Sequence, residues 1–225
     1  QRTVALKVIR SGSSSASRRR FEREAEVLGR LQHPGIAQIF EAGAADSGQG
    51  VQPFIAMEYV DGTPVTTYVE SRALPIRERL ELMVMVCEAM HHAHEHGVVH
   101  RDLKPPNVLV DGRGQPKILD FGIARLTETE DVTQTLTTRT GQLIGTLQFM
   151  SPEQLSGDVE CVDARSDVFA LGVLVYRLLS GRYPHDVAGR TIPDAIRFLS
   201  QEEPTPLGHV DRLFRGDLCL LYTSP

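Results

Sequence analysis

Residues 100–122 read HRDLKPPNVLVDGRGQPKILDFG, and this stretch decides the fold. It places Asp102, Lys104 and Asn107 within six residues, and Asp120 stands directly before Phe-Gly. Two short apolar runs between these clusters are separated by Asp-Gly-Arg-Gly, which predicts a β-hairpin because glycine adopts the positive φ that a tight turn needs. The hairpin would hold the two polar clusters at neighbouring ends of one ribbon. Such carboxylate and amide oxygens suit Mg²⁺, which takes oxygen ligands and leaves room for phosphates.

The composition is typical of a globular domain. The chain has 225 residues, of which 41% are hydrophobic and 24% charged, and this suffices for one large domain or two small ones. The net charge of −5 argues against a nucleic-acid surface, which is usually basic. No signal peptide opens the chain, and its most apolar segment, residues 168–179, is shorter than the roughly 20 residues that span a bilayer. We therefore expect no nucleic-acid partner and no membrane segment in this chain.

Hydrophobic periodicity predicts strands in the first part of the chain and helices in the second. Strands are expected at residues 3–9, 36–40 and 54–59, and a helix at 18–31 would carry Phe21, Ala25 and Leu28 on one apolar stripe. Further helices are expected at 76–96, 167–179 and 192–199. The helix at 167–179 is apolar nearly all round, so it should be buried centrally. Glycines at 97 and 181 would end two of these helices.

Three details of these helices are expected from local pattern. The buried face of the helix at 76–96 would carry Leu80, Val84, Cys87 and His91, with Met83 and Met90 beside it, and Ser166 would cap the helix at 167–179. The three cysteines, Cys87, Cys161 and Cys219, are far apart and are expected to be small buried hydrophobes. Five histidines fall within residues 91–100, and two have the i, i+4 spacing of zinc helices, but HExxH is absent. Ordinary helix packing is therefore favoured over a metal site.

The motif HRDLKPPN followed by DFG resembles the catalytic loop and the metal-binding loop of eukaryotic-type Ser/Thr protein kinases from bacteria. The resemblance implies an α+β, bilobal protein-kinase-like fold. Residues 1–60 would form a small β-rich N-lobe and residues 61–207 a larger, mainly α C-lobe. Both lobes are expected to be truncated, because Lys7 leaves no room for the preceding glycine-rich loop and the last helices are missing. Residues 208–225 would be an anomalous tail without the helices of the family.

The resemblance also implies roles at the centre of the site. Asp102 would accept or orient the proton of the attacking hydroxyl, Lys104 would steady the γ-phosphate, and Asn107 and Asp120 would hold Mg²⁺. Lys7, in the sequence VALK, is similar to the strand lysine that grips the α- and β-phosphates of ATP.

That lysine needs a carboxylate partner, and Glu24 in RFEREAEVL matches it best. Glu22 and Glu26 are the rivals, but each lies about 200° round the helix from Glu24, so only one face can serve.

Met57, Glu58 and Val60 resemble the gatekeeper and hinge of the family. The backbone of Glu58 and Val60 would hydrogen-bond the adenine, and Ala5 and Leu109 would sandwich the ring. These same residues also fit plain core strands, and both interpretations can hold together.

The segment after Gly122 resembles an activation segment. Thr133 and Thr135 look like the doublet that is phosphorylated in bacterial kinases, and Arg101 would pair with such a phosphate. Thr146 would tie the substrate-side loop to Asp102 and Lys104. Two further residues have structural roles in the family: Glu153 would pair with an arginine further along the chain, which the expected truncation would remove, and Asp167 would brace the backbone of the catalytic loop.

Together these features predict a protein Ser/Thr kinase that uses ATP and Mg²⁺, acts on protein serine and threonine hydroxyls and phosphorylates its own activation segment. The family also implies a cytoplasmic domain, homodimers through the N-lobe and, in many members, a membrane anchor elsewhere in the protein. One alternative is a catalytically inactive pseudokinase or regulatory binding module. Another is a small-molecule phosphotransferase of the antibiotic-kinase type, but the Thr-rich segment that ends in Ser-Pro-Glu argues against it.

Overall fold

Three antiparallel strands form the first sheet of the computed structural model, which describes residues 2–8, 21, 25–46, 48, 50–121, 145–157 and 162–215. The strands are β1 (Val4–Val8), β2 (Ile39–Asp46) and β3 (Val51–Glu58), in the order β1-β3-β2. Alternate side chains of β3 are buried, among them Ile55 and Met57. Residues 25–29 are helical (α1), and Phe21, Ala25 and Leu28 of the predicted apolar stripe are buried.

A second small sheet contains the predicted hairpin. Its strands are β4 (Gly62–Pro64), β5 (Val108–Asp111) and β6 (Pro116–Ile118), all antiparallel and in that order. The hairpin prediction is confirmed. In its turn, the carboxylate of Asp111 accepts hydrogen bonds from the backbone N–H groups of Arg113 and Gln115 at 2.8 and 2.9 Å, and Gly114 has φ +84°.

Residues 35–37 join the two sheets, which corrects the strand predicted at 36–40. The N–H of Ile118 donates to the carbonyl of Gly35 at 2.8 Å, and the N–H of Ala37 donates to the carbonyl of Ile118 at 2.9 Å. Ile36 thus forms an isolated parallel bridge with Ile118. Because this pairing uses β6 of the second sheet, β2 of the first sheet begins only at Ile39.

The remaining described elements are helical. They are α2 (Val65–Ser71), α3 (Ile76–Glu95), α4 (Pro152–Ser156), α5 (Ala164–Ser180), α6 (Ile192–Gln201) and α7 (Leu207–Val210). The central burial of α5 is confirmed, since Val173 and Leu174 are fully buried. Gly97 and Gly181 follow α3 and α5 with positive φ, as predicted. Arg79 near the start of α3 donates to the carbonyls of Leu178 and Leu179 at the end of α5.

The predicted buried face of α3 is wrong at three of its four positions, and only Leu80 is partly buried. Val84 is 56% exposed, and Cys87 and His91 are also exposed. The buried side chains of this helix are Leu82, Met83, Val86, Ala89, Met90 and Ala93. Apolar residues occupy most positions of α3, so the hydrophobic periodicity alone does not identify its buried face. The close approach of Gly35 to Ala89 favours burial of the face that carries Ala89.

Two further expectations are corrected or left open. The N-cap of α5 is Asp163, whose carboxylate accepts from the N–H of Arg165 at 2.8 Å, so the predicted cap at Ser166 is wrong. Ser166 lies in the first turn and is buried there. Cys87 is not the buried hydrophobe that was predicted, and Cys161 and Cys219 lie outside the described residues.

The chain after residue 207 continues to pack on the C-lobe. Leu207 in α7 and Phe214 in a following 3₁₀ turn (Arg212–Phe214) are buried in one cluster with Tyr176 and Leu179 of α5. Residues 208–215 therefore contain short helical turns that pack on α5, and the expectation that residues 208–225 are an anomalous tail stays a prediction. Residues 216–225 lie outside the described part of the chain.

Candidate active site

The loop between α3 and β5 brings three predicted catalytic residues into contact. The Lys104 Nζ atom lies 2.8 Å from the Asp102 Oδ2 atom and 3.1 Å from its Oδ1 atom. The Asn107 side-chain amide donates to the Asp102 carbonyl at 2.8 Å and faces the Asp102 Oδ2 atom at 3.3 Å. A 3₁₀ turn (Pro105–Asn107) connects these residues to β5. The side chains of Asp102 and Lys104 are about one quarter exposed, so the pair can meet a substrate.

A second polar pair comes from the N-lobe strand and from the residue before Phe121. The Lys7 Nζ atom lies 3.0 Å from the Asp120 Oδ1 atom, and both side chains are about one third exposed. Asp120 has φ +52°, an uncommon conformation for a residue other than glycine. The pair closes the polar end of a cleft that has Ile39, Ile55 and Met57 among its apolar lining.

Backbone contacts of Leu119 hold the two polar pairs together. Its N–H donates to the carbonyl of Asn107 at 2.8 Å, and its carbonyl lies 2.9 Å from the Nε2 atom of His100. Because Asp120 directly follows Leu119, the catalytic loop and the Asp-Phe-Gly segment are fixed against each other. The carboxylates of Asp102 and Asp120 therefore lie at the same, open end of the hairpin, where β5 begins and β6 ends.

His100 forms the buried floor of this site. Its ring is fully buried, and its centroid lies 4.6 Å from that of Phe121. The Nδ1 atom accepts from the N–H of Asp102 at 3.2 Å. Burial is the largest influence on His100 and lowers its pKa, and the nearby carboxylate of Asp167 and the carbonyl of Leu119 offset this only in part. The imidazole is therefore neutral, with its proton on Nε2 toward Leu119.

Asp167 of α5 holds the backbone of the catalytic loop. Its Oδ2 atom accepts from the N–H of His100 at 2.8 Å, and its Oδ1 atom accepts from the N–H of Arg101 at 2.9 Å. The Nε2 atom of His94 lies 2.8 Å from the same Oδ2 atom. The carboxylate is 1% exposed, and these three contacts satisfy a group that would otherwise be costly to bury.

The hinge region contains an ion pair that the sequence did not suggest. The Nζ atom of Lys117 in β6 lies 2.9 Å from the Glu58 carboxylate at the end of β3, and both side chains are mostly buried. The Glu58 N–H donates to the carbonyl of Gln38 at 2.8 Å. The strand β6 has only three residues, so its hydrophobic pattern does not predict an ion pair between Lys117 and Glu58.

Glu153 has a partner other than the arginine that was expected. The Ser166 hydroxyl donates to its Oε1 atom at 2.6 Å. Partial burial by itself would raise the pKa of Glu153, but the hydrogen bonds from Ser166, from its own backbone and from Ser151 outweigh it, so the pKa lies below its ordinary value. This contact joins α4 to the first turn of α5.

Other predicted site residues lie in the structure as follows. Ala5 in β1 is paired with Met57 in β3, and Leu109 in β5 is paired with Lys117. Val60 follows β3, and the carbonyl of Thr146 accepts from the N–H of Phe149 at 3.1 Å. Glu24, Thr133 and Thr135 lie outside the described residues, so their predicted roles stay predictions.

The donor set of the site fits one Mg²⁺ ion. Asp120 supplies a carboxylate, and Asn107 uses its amide nitrogen toward Asp102, which leaves its amide oxygen for a metal. Mg²⁺ is commonly held by one or two such protein ligands together with waters and substrate phosphates. Among the described residues, no three His, Cys, Asp or Glu side chains cluster as a metal site of their own.

Comparison with known proteins identifies the family. The family model described as the protein kinase domain matches residues 1–202, and the chain therefore belongs to the protein kinase family. The predicted family and the predicted bilobal α+β fold are confirmed.

Curated relatives give the class within the family. The serine/threonine-protein kinase PknB of Mycobacterium leprae is 39% identical over 187 residues, which cover 81% of this chain and 29% of that protein. A probable serine/threonine-protein kinase of Corynebacterium efficiens is 40% identical over 209 residues, covering 91% of this chain and 30% of that protein. A probable PknB of Lactococcus lactis is 39% identical over 188 residues, covering 82% and 28%. The chain thus spans less than a third of these relatives. Within its described residues, no helix is long and apolar enough to cross a bilayer.

Proposed function

We propose that the protein to which this chain belongs is a Ser/Thr protein kinase, which transfers the γ-phosphate of ATP to serine and threonine hydroxyls of proteins. The observation that carries the proposal is that the Asp102–Lys104 pair and the Lys7–Asp120 pair both lie at the open end of one hairpin. Phosphoryl transfer needs positioning and charge stabilisation more than covalent chemistry, and this arrangement supplies both.

The reaction assigns a separate task to each charged residue. The substrate hydroxyl oxygen forms a bond to the γ-phosphorus while the bond from that phosphorus to the β,γ-bridging oxygen breaks, and ADP leaves. Asp102 orients the hydroxyl and accepts its proton, and Lys104 stabilises the transferred phosphoryl group. Lys7 binds the α- and β-phosphates of ATP. The contact of Lys7 with Asp120, the proposed ligand of Mg²⁺, supports this role.

Mg²⁺, when bound by Asn107 and Asp120, would neutralise charge on the phosphates. The adenine would lie at the hinge, where the Glu58 carbonyl and the Val60 N–H are the proposed partners, Met57 lines the cleft, and Ala5 and Leu109 enclose the ring. Glu24 is the proposed carboxylate partner of Lys7 when ATP and Mg²⁺ occupy the site.

Regulation by autophosphorylation is part of the proposal. Thr133 and Thr135 are the proposed acceptors, and Arg101 is the proposed partner of the added phosphate. Thr146 is proposed to contact the substrate side of the catalytic loop. Homodimerisation through the N-lobe, a cytoplasmic location and a membrane anchor elsewhere in the protein stay predictions.

The proposal is tested by measuring phosphate transfer from Mg·ATP by the chain with its native flanking sequence. Intact mass reports autophosphorylation, and a general protein substrate reports transfer to other proteins. We expect the Asp102→Asn variant to lose at least about 100-fold in kcat, because general acid–base catalysis commonly contributes about 10²–10⁴.

The same variant should bind Mg·ATP with nearly unchanged affinity, since Asp102 acts on the hydroxyl and not on the nucleotide. If the wild-type protein binds Mg·ATP but adds no phosphate to itself or to any protein, the kinase proposal is wrong and a regulatory binding module replaces it.

A further inference from the structure

The peptide group that carries Asp102 is held on both sides by side chains. Its carbonyl, which belongs to Arg101, accepts a hydrogen bond from the Gln154 Nε2 atom at 2.9 Å. Its N–H, which belongs to Asp102, donates to the His100 Nδ1 atom at 3.2 Å. A peptide group is planar, so fixing its oxygen and its nitrogen fixes the direction in which Asp102 leaves the backbone.

Arg101 has an unfavourable backbone conformation that makes this hold necessary. Its φ is +65°, in the left-handed region that costs roughly 1–2 kcal/mol for a residue with a Cβ atom. Such conformations persist where the surroundings enforce them. Here the Arg101 N–H is bound by Asp167 of α5 and its carbonyl by Gln154 of α4. Two helices therefore hold the two backbone groups of this one residue.

Gln154 is itself fixed in orientation by the segment before it. Its Oε1 atom accepts from the N–H of Ser151 at 3.1 Å, as part of the capping box of α4. The amide oxygen must face Ser151 and the amide nitrogen must face Arg101. In the reverse orientation, the NH₂ group would face the N–H donor of Ser151 and the amide oxygen would face the carbonyl acceptor of Arg101. The oxygen and the nitrogen of the Gln154 amide are thus both hydrogen-bonded. Gln154 thereby connects Ser151, at the end of the substrate-side segment, to the backbone next to Asp102.

We propose that Gln154 is a positioning residue for phosphoryl transfer, which acts by orienting the Arg101–Asp102 peptide and couples the start of α4 to the catalytic aspartate. The assignment rests on the proposed kinase function, in which Asp102 is the group that meets the substrate hydroxyl. Gln154 acts through the backbone of Arg101 and does not touch the nucleotide.

Two substitutions at position 154 distinguish a role of Gln154 in orienting the Arg101–Asp102 peptide from a role in packing alone. Gln154→Met keeps the length of the side chain and removes the amide donor. Gln154→Glu keeps an acceptor for Ser151 but places a carboxylate oxygen against the Arg101 carbonyl, and protonation of that carboxyl at lower pH restores a donor. Ser156→Ala is the matched control, because Ser156 lies on the same short helix, is exposed and bonds only to the Glu153 carbonyl among the described contacts.

The kinetic readout uses the chain with its native flanking sequence. We expect Gln154→Met to lower kcat about three- to tenfold, the range for one neutral hydrogen bond, with the KM for ATP unchanged within twofold. Gln154→Glu should lower kcat further at pH 7.5. Its activity relative to wild type should rise as the pH falls from 7.5 to 5.5, whereas the relative activity of Gln154→Met should stay flat. Ser156→Ala should match wild type.

Amide hydrogen exchange of residues 98–107 gives a readout that does not depend on activity. Exchange there should be faster in Gln154→Met than in wild type or Ser156→Ala, while the melting temperature changes little. The proposal is overturned if both Gln154 variants keep wild-type kcat and wild-type exchange, or if Gln154→Glu shows no relative gain at low pH. If wild type itself transfers no phosphate, the kinase function fails, and the exchange comparison still decides whether Gln154 holds the loop.

Discussion

His100 shows how one residue can hold a catalytic loop without being charged. Its ring is buried against Phe121, and its two nitrogens contact the N–H of Asp102 and the carbonyl of Leu119. A charged imidazole could not accept the hydrogen bond from Asp102. The lowered pKa of His100 is therefore a condition for the geometry of the loop.

This neutrality predicts a pH dependence of stability. Below about pH 6.5, the ordinary value for histidine, the unfolded chain binds a proton at His100 and the folded chain does not, so the free energy of unfolding should fall as the pH falls. Urea unfolding between pH 7.5 and 5 measures it. The His100→Phe variant should be less stable at pH 7.5 and should show a weaker pH dependence.

Some dependence should remain in that variant, because burial also lowers the pKa of His33. Equal slopes for wild type and His100→Phe would show that His100 is not the group responsible.

The proposed catalytic residues could be selected from the sequence because they lie close together in it, whereas the residues that hold them in place could not. Asp102 and Asn107 are five positions apart in the sequence, so they stay close together whatever conformation this loop adopts. The contacts of Gln154 with Arg101 and of Lys117 with Glu58 exist only after distant segments of the chain meet. No local pattern distinguishes such a glutamine or lysine from a solvated one.

At the scale of elements, the contact between the loop at 31–36 and α3 fixes how the N-lobe joins the C-lobe. A Cβ atom on Gly35 would lie 2.9 Å from the Ala89 Cβ atom and 3.2 Å from the His33 Nδ1 atom. Ala89 is fully buried on α3 and has no flexible end that could move aside. Two small residues therefore set the distance between the loop and the helix.

We expect Gly35→Ala to destabilise the fold by about 1–3 kcal/mol, the usual range for overpacking. Gly29→Ala is the matched control, since a Cβ atom there meets nothing within 4 Å. It should be neutral or slightly stabilising, because alanine favours the helix over glycine. Thermal unfolding of both variants gives the measurement, and equal melting temperatures would contradict the close packing.

The same contact explains why the buried face of α3 was mispredicted. The helix sequence LELMVMVCEAMHHA offers apolar residues on several faces, so its periodicity permits more than one choice. The observed face includes Ala89 and Ala93, whose small side chains allow a close approach that a hydrophobicity pattern does not represent. The hairpin of β5 and β6, by contrast, was predictable because its turn chemistry is local.

At the scale of the whole molecule, one hydrophobic core runs through both lobes. The same cluster of buried side chains includes Phe21 and Ile55 from the N-lobe and Val86, Val173 and Leu174 from the helices of the C-lobe. The two lobes therefore share packing as well as the active site. The resemblance of the motifs indicated two lobes, but the continuity of their core follows only from the packed structure.

Leu174 lies at the centre of this core and is fully buried. We expect Leu174→Ala to lower the free energy of unfolding by about 2–5 kcal/mol, because a cavity adds to the lost transfer free energy. Val168→Ala on the same helix is the control, as Val168 is 60% exposed, and should change stability by less than about 0.5 kcal/mol. Chemical denaturation measures both, and similar losses for the two variants would contradict a central position of α5.

The bond from Arg79 to the end of α5 has a consequence for the order of folding. The last carbonyls of a helix have no partner within it, and those of Leu178 and Leu179 are met by a side chain 99 and 100 positions earlier in the chain. During synthesis, α3 emerges long before these carbonyls exist. Water can satisfy these carbonyls until α3 and α5 meet, and contacts of such long sequence separation form slowly. We therefore expect the bonds from Arg79 to form late in folding, after α3 and α5 have packed together.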